Sequence, residues 1–369
     1  MYRLIWIFLW LSCAVAYRAL NADRIRTLVA DYPPSEFLTI DDRDGFLEPI
    51  LKVRIPGTQG SEEVRQHFTS FFESLNSDWT VEFDQFYADT PTQKQVNFTN
   101  VIATRDPPSS DPSTVRRLTL AAHYDSKIEP EGFIGAIDSA VPCALIMHAV
   151  NSIDSRLTEK WAQPMTRKPA AGPVGAKQKR SPDFDRNIGL QIIFFDGEEA
   201  FQTWTDSDSI YGARHLADKM AGTPRKPGQS KESQLASIET LVLLDLIGAK
   251  GTQIYSFFAN THWMFNKLKD IESRLKQIEA SNLDYTIFQE REAFRLGGSM
   301  GDDHLPFLYA GVPVLHLIPV QFPATWHTLK DDAAHLDQNS IDNWGMLMSV
   351  FLAEYFEVFS SIPATKSEL

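Results

Sequence analysis

Hydrophobic residues along the chain occur both in continuous runs and at regular spacings, and the combination predicts a mixed α/β fold. Continuous or nearly continuous apolar runs occupy residues 118–122, 192–195, 241–244 and 312–318. Such runs are typical of strands that are buried on both faces of a largely parallel sheet. Two earlier segments, 81–86 and 96–101, alternate apolar and polar residues with period two. They predict antiparallel edge strands that precede the parallel core.

Helices are predicted around these strands. Residues 21–78 look helical as a whole, because Phe68, Phe71, Phe72 and Leu75 are spaced at i, i+3, i+4 and i+7. Further helices are predicted over about 138–150, 263–279 and 341–359. The pattern favours an α/β three-layer sandwich, with a central mixed, mostly parallel sheet flanked by helices. There is no internal repeat or second domain in the pattern, so we expect one domain over 17–369.

The first sixteen residues predict a secretory signal peptide. Residues 1–3 form a short basic start, residues 4–11 are apolar, and Ala14-Val15-Ala16 is a small-x-small cleavage pattern. The apolar stretch is shorter than the roughly 20 residues that span a bilayer. We expect cleavage after Ala16 and a secreted chain with no membrane contact. The alternative is an uncleaved anchor that retains the protein in the Golgi or endoplasmic reticulum.

The net charge and the cysteine content of the chain bear on its possible partners and disulfides. The formal net charge is −13, and it becomes −14 when Arg3 leaves with the leader. An acidic chain without a basic stripe does not suit nucleic-acid binding. The two cysteines are Cys13 and Cys143, so the mature chain keeps one thiol and has no internal disulfide. The sequon Asn97-Phe98-Thr99 fits the secretory route, and nothing in the sequence indicates more than a monomer.

One long segment departs from the globular pattern. Residues 163–187 are rich in Pro, Gly, Lys and Arg and have no apolar period, which predicts a flexible basic surface loop. The basic residues 177–180 within it favour a solvated loop over a processing site.

The candidate chemistry begins where the run 192–195 stops. Gly197 follows, and Glu198 and Glu199 then stand where open α/β sheets place their active sites, after the carboxyl end of a strand. Two adjacent carboxylates are costly there unless a cation or a proton separates their charges. One glutamate bound to a metal and the other carrying protons would meet that condition. An acidic helix start explains this segment alone equally well.

Other predicted strands and adjoining turns also end in residues of metal-ligand type. These are His123, Asp125, Asp138, Glu198, Glu199, Asp245 and His327. Each is weak evidence alone, since a histidine after a strand is more often a structural hydrogen-bonding group. Because the carboxyl ends of parallel strands meet in one crevice, together they predict a metal site.

The order of these residues resembles the zinc aminopeptidases of peptidase family M28, and the local strings are closer to the animal glutaminyl cyclase branch. The strings are His-Tyr-Asp-Ser-Lys at 123–127, Gly-Ala-Ile-Asp-Ser-Ala-Val-Pro-Cys at 135–143, Phe-Phe-Asp-Gly-Glu-Glu-Ala-Phe at 194–201, Leu-Leu-Asp-Leu-Ile-Gly-Ala at 243–249, Asp-Asp-His-Leu-Pro-Phe at 302–307 and Phe-Pro-Ala-Thr-Trp-His-Thr at 322–328. The resemblance covers nearly the whole mature chain and implies a zinc-exopeptidase type of fold.

The resemblance also implies the site. It implies one zinc per chain, held by Asp138, Glu199 and His327 with a fourth position open, which is the form of a catalytic zinc. Asp125 would lie next to the ligands and help to orient them without binding the metal itself. The implied substrate is a peptide or protein whose N-terminal Gln, or more weakly Glu, cyclises to pyroglutamate.

The remaining roles follow from what this reaction requires. Glu198 would carry the proton from the attacking amine to the departing nitrogen. Asp245 would orient the amide nitrogen, and Asp302 would complete a hydrogen-bond network with it. The aromatic residues expected to line the pocket are Trp204, Phe322 and Trp326, although core packing explains each one singly about as well.

One departure from the family pattern and two alternatives remain. The resemblance implies a cysteine next to the His-Tyr-Asp motif that pairs with Cys143, but this chain has Ala122 there. A two-zinc aminopeptidase is the first alternative, because His123, Asp138 and Asp245 would make a second metal site. The second is an inactive homologue, although none of the implied residues is missing.

Overall fold

The computed structural model describes residues 18–359 except 76, 109, 163–186, 227, 229–231 and 296–299. The helices are α1 Ala22–Asp31, α2 Pro34–Phe37, α3 Gln59–Ser74, α4 Val141–Ala162, α5 Tyr211–Gly222, α6 His262–Gln277, α7 His304–Tyr309 and α8 Gln338–Tyr355. The strands are β1 Thr80–Ala88, β2 Val96–Arg105, β3 Arg116–His123, β4 Ile188–Phe195, β5 Ile238–Leu244, β6 Ile254–Ser256, β7 Phe288–Glu292 and β8 Val314–Leu317. The predicted signal peptide and the predicted basic loop, apart from residue 187, lie outside the described residues.

The main sheet has six strands in the order β1-β2-β4-β3-β5-β8. Strands β3, β4, β5 and β8 run parallel to one another, whereas β1 pairs antiparallel with β2 and β2 pairs antiparallel with β4. Every residue of β4 is buried, as its uninterrupted apolar sequence requires. The four parallel strands therefore direct their carboxyl ends to the same edge of the sheet.

Successive apolar residues along the parallel strands pack on opposite faces of the sheet. Leu120, Ile192 and Val242 belong to a large cluster that includes α4 and α8, whereas Ile193 and Leu243 pack with α5 and α7 on the other face. Of the described helices, one stretch, Ala136–Ala162, is apolar and long enough to cross a bilayer, and 94% of its most apolar window is buried in the fold. That stretch is therefore the central core helix of the sandwich.

The structure confirms the predicted three-layer α/β architecture and corrects its details. The prediction of one helical region over 21–78 is wrong, because α1, α2 and α3 are separate and irregular chain lies between them. Pro33 and Pro56 fall in these breaks, where proline disfavours a continuous helix. The sequence patterns also missed the two-stranded sheet of β6 and β7.

Candidate metal centre

The predicted site residues lie at the edge of the sheet where the parallel strands end. His123 closes β3, Glu198 and Glu199 follow β4, Asp245 follows β5, and His327 lies in the loop after β8. Gly197 makes the turn after β4 possible, since its φ is +72° and a Cβ there would lie 2.4 Å from the ring of Phe98. Only glycine fits this position, so the glutamate pair is held close to the strand end.

Three side chains from distant parts of the chain converge on one point. Asp138, Glu199 and His327 each offer a ligand atom, and these atoms lie within 4.8 Å of one another. The His327 Nε2 atom is 3.5 Å from Asp138 Oδ2 and 3.5 Å from Glu199 Oε1. These are the three residues that the resemblance implied as metal ligands.

The donor set fits a cation. Asp138 Oδ2 and Glu199 Oε1 are buried and accept no hydrogen bond, although buried carboxylate oxygens normally have a donor. The second oxygen of each carboxylate does have one, from His123 Nε2 at 2.9 Å and Lys127 Nζ at 3.2 Å. Two carboxylate oxygens and one imidazole nitrogen, with no thiolate, match the ligands of a catalytic zinc.

When no metal is bound, the carboxylates of Asp138 and Glu199 favour the protonated form of His327. Burial lowers the pKa of His327, but its two carboxylate neighbours outweigh burial and raise this pKa to about 9. The imidazole is therefore protonated at neutral pH and must lose that proton before it can bind a metal.

Asp125 fixes the turn that carries the glutamate pair. Its Oδ1 accepts the backbone N–H of Glu198 at 3.0 Å, and its Oδ2 accepts that of Glu199 at 3.1 Å. It also lies 3.3 Å from His123 Nδ1. One carboxylate thus positions both a candidate ligand and the candidate proton carrier, which agrees with the predicted supporting role.

A second acidic cluster adjoins the first and surrounds His123. The Nε2 atom of His123 is 2.9 Å from Asp138 Oδ1 and 3.5 Å from Asp245 Oδ1. Burial disfavours the charged ring, but the hydrogen bonds to the surrounding carboxylates raise the pKa of His123 well above its usual value. The surrounding carboxylates therefore favour the charged form of the His123 ring.

Glu198 is buried beside this cluster and is not among the three converging ligands. Burial raises the pKa of its carboxyl well above the usual value, and the negative charges of Glu199 and Asp302 raise it further. Burial also raises the pKa of Asp245 to about 6. A carboxyl whose pKa is raised in this way is typical of groups that transfer protons, which is the role predicted for Glu198.

The predicted partnership of Asp302 with Asp245 takes a different form in the structure. Asp302 Oδ2 lies 2.6 Å from His316 Nε2, and Asp302 Oδ1 accepts the N–H of Asp303 at 2.6 Å. Asp245 accepts the hydroxyl of Ser139 and the N–H of Leu246. The two carboxylates influence each other through their charge, because Asp302 raises the pKa of Asp245.

Sequence reasoning did not single out Ser139 or His316. Neither residue matches a spacing rule that would mark it. Burial lowers the pKa of His316 to about 4, so its neutral ring donates from Nε2 to Asp302.

The predicted aromatic residues surround a cavity of about 300 Å³ above the cluster. Its lining consists of Asp138, Glu198, Trp204, Asp245, Leu246, Met300, Gly301, Ile318, Phe322, Trp326 and His327. Phe322 meets Trp326 edge-on at 4.7 Å, and Trp326 stacks on the ring of His327 at 3.9 Å. Trp204 and Trp326 are 42% and 37% exposed, so they form the cavity mouth and not the core.

Comparison with known proteins agrees with this geometry. Residues 100–352 match the model of peptidase family M28. The chain is 40% identical over 346 residues to glutaminyl-peptide cyclotransferase of Bos taurus, covering 92% of this chain and 87% of the bovine one. It is 42% identical over 316 residues to a glutaminyl-peptide cyclotransferase-like protein of Mus musculus, covering 84% and 74%. The crystal structure of Macrostomum lignano glutaminyl cyclase superimposes with a TM-score of 0.73 at 33% identity, covering 92% and 94%.

Proposed function

Since this chain belongs to peptidase family M28 and, within it, to the glutaminyl-peptide cyclotransferases, we propose that it converts the N-terminal glutamine of peptides into pyroglutamate. The α-amino nitrogen bonds to the γ-carboxamide carbon, the bond from that carbon to the amide nitrogen breaks, and ammonia leaves. The observation that carries the proposal is the pair of buried carboxylate oxygens that accept no hydrogen bond and lie 3.5 Å from His327 Nε2, with Glu198 beside them in an aromatic cavity.

The metal proposed for this site is one zinc ion per chain, held by Asp138, Glu199 and His327. Zinc would act there as a Lewis acid toward the γ-carbonyl oxygen of the substrate. The hydrogen bonds of the second acidic cluster support a single ion, because Asp138 Oδ1 is bonded to His123 Nε2 and Asp245 Oδ1 accepts from Ser139 and Leu246.

Glu198 is the proposed proton carrier. It takes a proton from the neutral α-amino nitrogen as that nitrogen bonds to the γ-carbon, and it gives this proton to the departing amide nitrogen, which leaves as ammonia. Asp245 accepts a hydrogen bond from the substrate's amide nitrogen and so orients it. Asp302, held by His316, keeps negative charge beside Asp245 and helps to maintain its raised pKa.

The cavity contributes by holding the substrate bent. Ring closure requires the amine and the γ-carbon to meet, and well-oriented intramolecular reactions reach effective molarities of roughly 10⁵ M or more. Trp204, Phe322 and Trp326 line a space of about 300 Å³, which is large enough for one folded glutamine residue.

A two-zinc aminopeptidase is the second candidate, because His123, Asp138 and Asp245 also offer ligand atoms within 4.8 Å of one another. Mass spectrometry of a Gln-initiated and a Leu-initiated peptide separates the two functions. Loss of one ammonia from the Gln peptide alone is the expected result. Release of the first residue from either peptide would overturn the proposal, and so would two unchanged peptides in the presence of bound zinc.

The cellular location and the oligomeric state of the protein are also proposals. We propose that the chain passes through the secretory pathway as a monomer, with Golgi retention as the alternative to secretion. The sequon supports this route, because Asn97 lies on β2 with a partly exposed side chain that accepts a hydrogen bond from Gln85.

A further inference from the structure

A fully buried arginine joins the segment after β3 to the segment that carries Asp138. Arg54 precedes α3 and has no solvent-exposed surface. Its guanidinium donates to six backbone carbonyls, those of Ile50, Lys52, Tyr124, Asp125, Ile134 and Gly135. Burying a charged group is costly unless its donors are satisfied, so these contacts fix the two segments against each other.

Asp331 connects the other side of the same segment to the loop of His327. Its backbone carbonyl accepts the N–H of Ala136 at 3.2 Å, and its Oδ1 accepts the N–H of Ile137 at 2.8 Å. Asp331 is 2% exposed and follows His327 by four residues. The loop that supplies one candidate ligand therefore holds the two amides that immediately precede another.

The segment between these two side chains needs such support. Gly135 has a φ of +53°, and a Cβ there would lie 2.0 Å from the carbonyl oxygen of Asp138. Asp138 and Ser139 also have non-helical backbone angles at the entrance to α4. Because the chain turns too tightly for regular backbone pairing, side chains from elsewhere must satisfy its polar groups.

We propose that Asp331 and Arg54 are positioning residues that hold Asp138 and His327 at metal-binding distance. The proposal rests on the proposed zinc site. Arg54 ties the Asp138 segment to the backbone of Asp125, which holds the Glu198-Glu199 turn, and Asp331 ties it to the His327 loop. All three ligand-bearing segments are thus linked through two side chains that do not themselves touch the substrate cavity.

The test is the zinc affinity of Asp331 variants, measured with metal buffers in the absence of substrate. Asp331→Ala removes the acceptor for Ile137, and we expect it to weaken zinc binding by about 10–100-fold, the range typical of groups that orient metal ligands. Asp331→Asn keeps an oxygen acceptor of the same shape and should restore affinity to within about threefold of wild type. Asp332→Asn is the matched control, because Asp332 is partly exposed and bonds only to His335 among the contacts described, and it should bind zinc as wild type does.

Thermal unfolding with and without zinc separates positioning from general stability. A purely structural role would lower both melting temperatures equally, whereas positioning reduces the stabilisation that zinc confers. Equal lowering with unchanged zinc affinity would overturn the proposal, as would an Asn variant as impaired as Ala. If Asp331→Ala does not fold, Asp331→Leu replaces it; failure of both to fold with zinc present would make the contact a folding requirement and also overturn the proposal.

Wild-type protein measured in the same series keeps the two proposals distinguishable. If wild type binds no zinc, the metal site itself is wrong. If wild type binds zinc without cyclising a Gln peptide, the proposed reaction is wrong and the positioning role still stands on the affinities.

Discussion

Replacing Glu198 with glutamine should abolish turnover while leaving the metal site intact. The substitution keeps the size of the side chain and removes the only buried carboxyl of the cavity that is neither a ligand nor bonded to a described side chain. General acid–base groups contribute typically about 10²–10⁴-fold to a rate. At about 1.36 kcal/mol per tenfold, this is about 2.7–5.4 kcal/mol of transition-state stabilisation. Glu198 is only 6% exposed, so bulk water cannot readily replace it, and we expect a loss in the upper part of that range.

The same substitution has a predictable effect on the stability of the protein without zinc. The pKa of Glu198 is raised in the folded protein, so the folded state keeps a proton that the unfolded chain releases. Folding stability therefore falls as pH rises from the unfolded pKa, near 4.3, toward the folded one, and the cost persists above it. Glutamine cannot ionise and avoids this cost. Glu198→Gln should thus melt at or above the wild-type temperature at pH 7 when zinc is absent.

The assay follows ammonia release from a Gln-initiated peptide while zinc content is measured on the same sample. Glu199→Gln is the matched control, because it alters a ligand and should lose zinc as well as activity. A Glu198→Gln enzyme with full zinc occupancy and more than about a tenth of wild-type kcat would refute the proton-carrier role, since general acid–base loss costs about 10² or more.

Four further outcomes are expected. A chelator should abolish activity, and metal analysis should count one zinc per active chain; two would favour the aminopeptidase. Zinc affinity should rise by up to tenfold per pH unit toward about pH 9, because His327 must lose a proton, and titration in zinc buffers would show it. The value of kcat/KM should rise through about pH 7.7–8.0 as the substrate's amine becomes neutral, and a flat profile would contradict amine attack. Burial lowers the pKa of His148 to about 4, so stability should fall as pH drops from about 6.5 toward 4; His148→Gln should flatten that slope in denaturant titrations.

Much of the fold could be predicted because strands that are buried on both faces of the sheet have uninterrupted apolar sequences. The run 192–195 is central in the sheet and fully buried, and its apolar residues alone indicate that position. Strand β7, Phe-Gln-Glu-Arg-Glu, has no such apolar run, because only its first residue is buried. It pairs with a three-residue strand, and short polar strands of this kind depend on tertiary contacts.

The candidate site likewise contains some residues that the sequence pattern indicates and others that it does not. Ligand-type residues after strand ends were visible because parallel strands bring those ends together. The contacts of Arg54 and Asp331 were not visible, since both residues act on backbone groups that are distant in sequence. Arg54 reaches residues 70 to 81 positions away, and Asp331 bonds to an amide 194 positions away. Such pairings have no periodicity or motif that a sequence pattern could reveal.

The spacing of the three proposed ligands has a consequence for the order of assembly. Asp138 and Glu199 are separated by 61 positions, and Glu199 and His327 by 128. During synthesis, the ligand set is complete only once His327 has been added, after all four parallel strands of the sheet. Metal binding would therefore follow the synthesis of every parallel strand, and a bound ion would indicate that these strands have come together in the sheet.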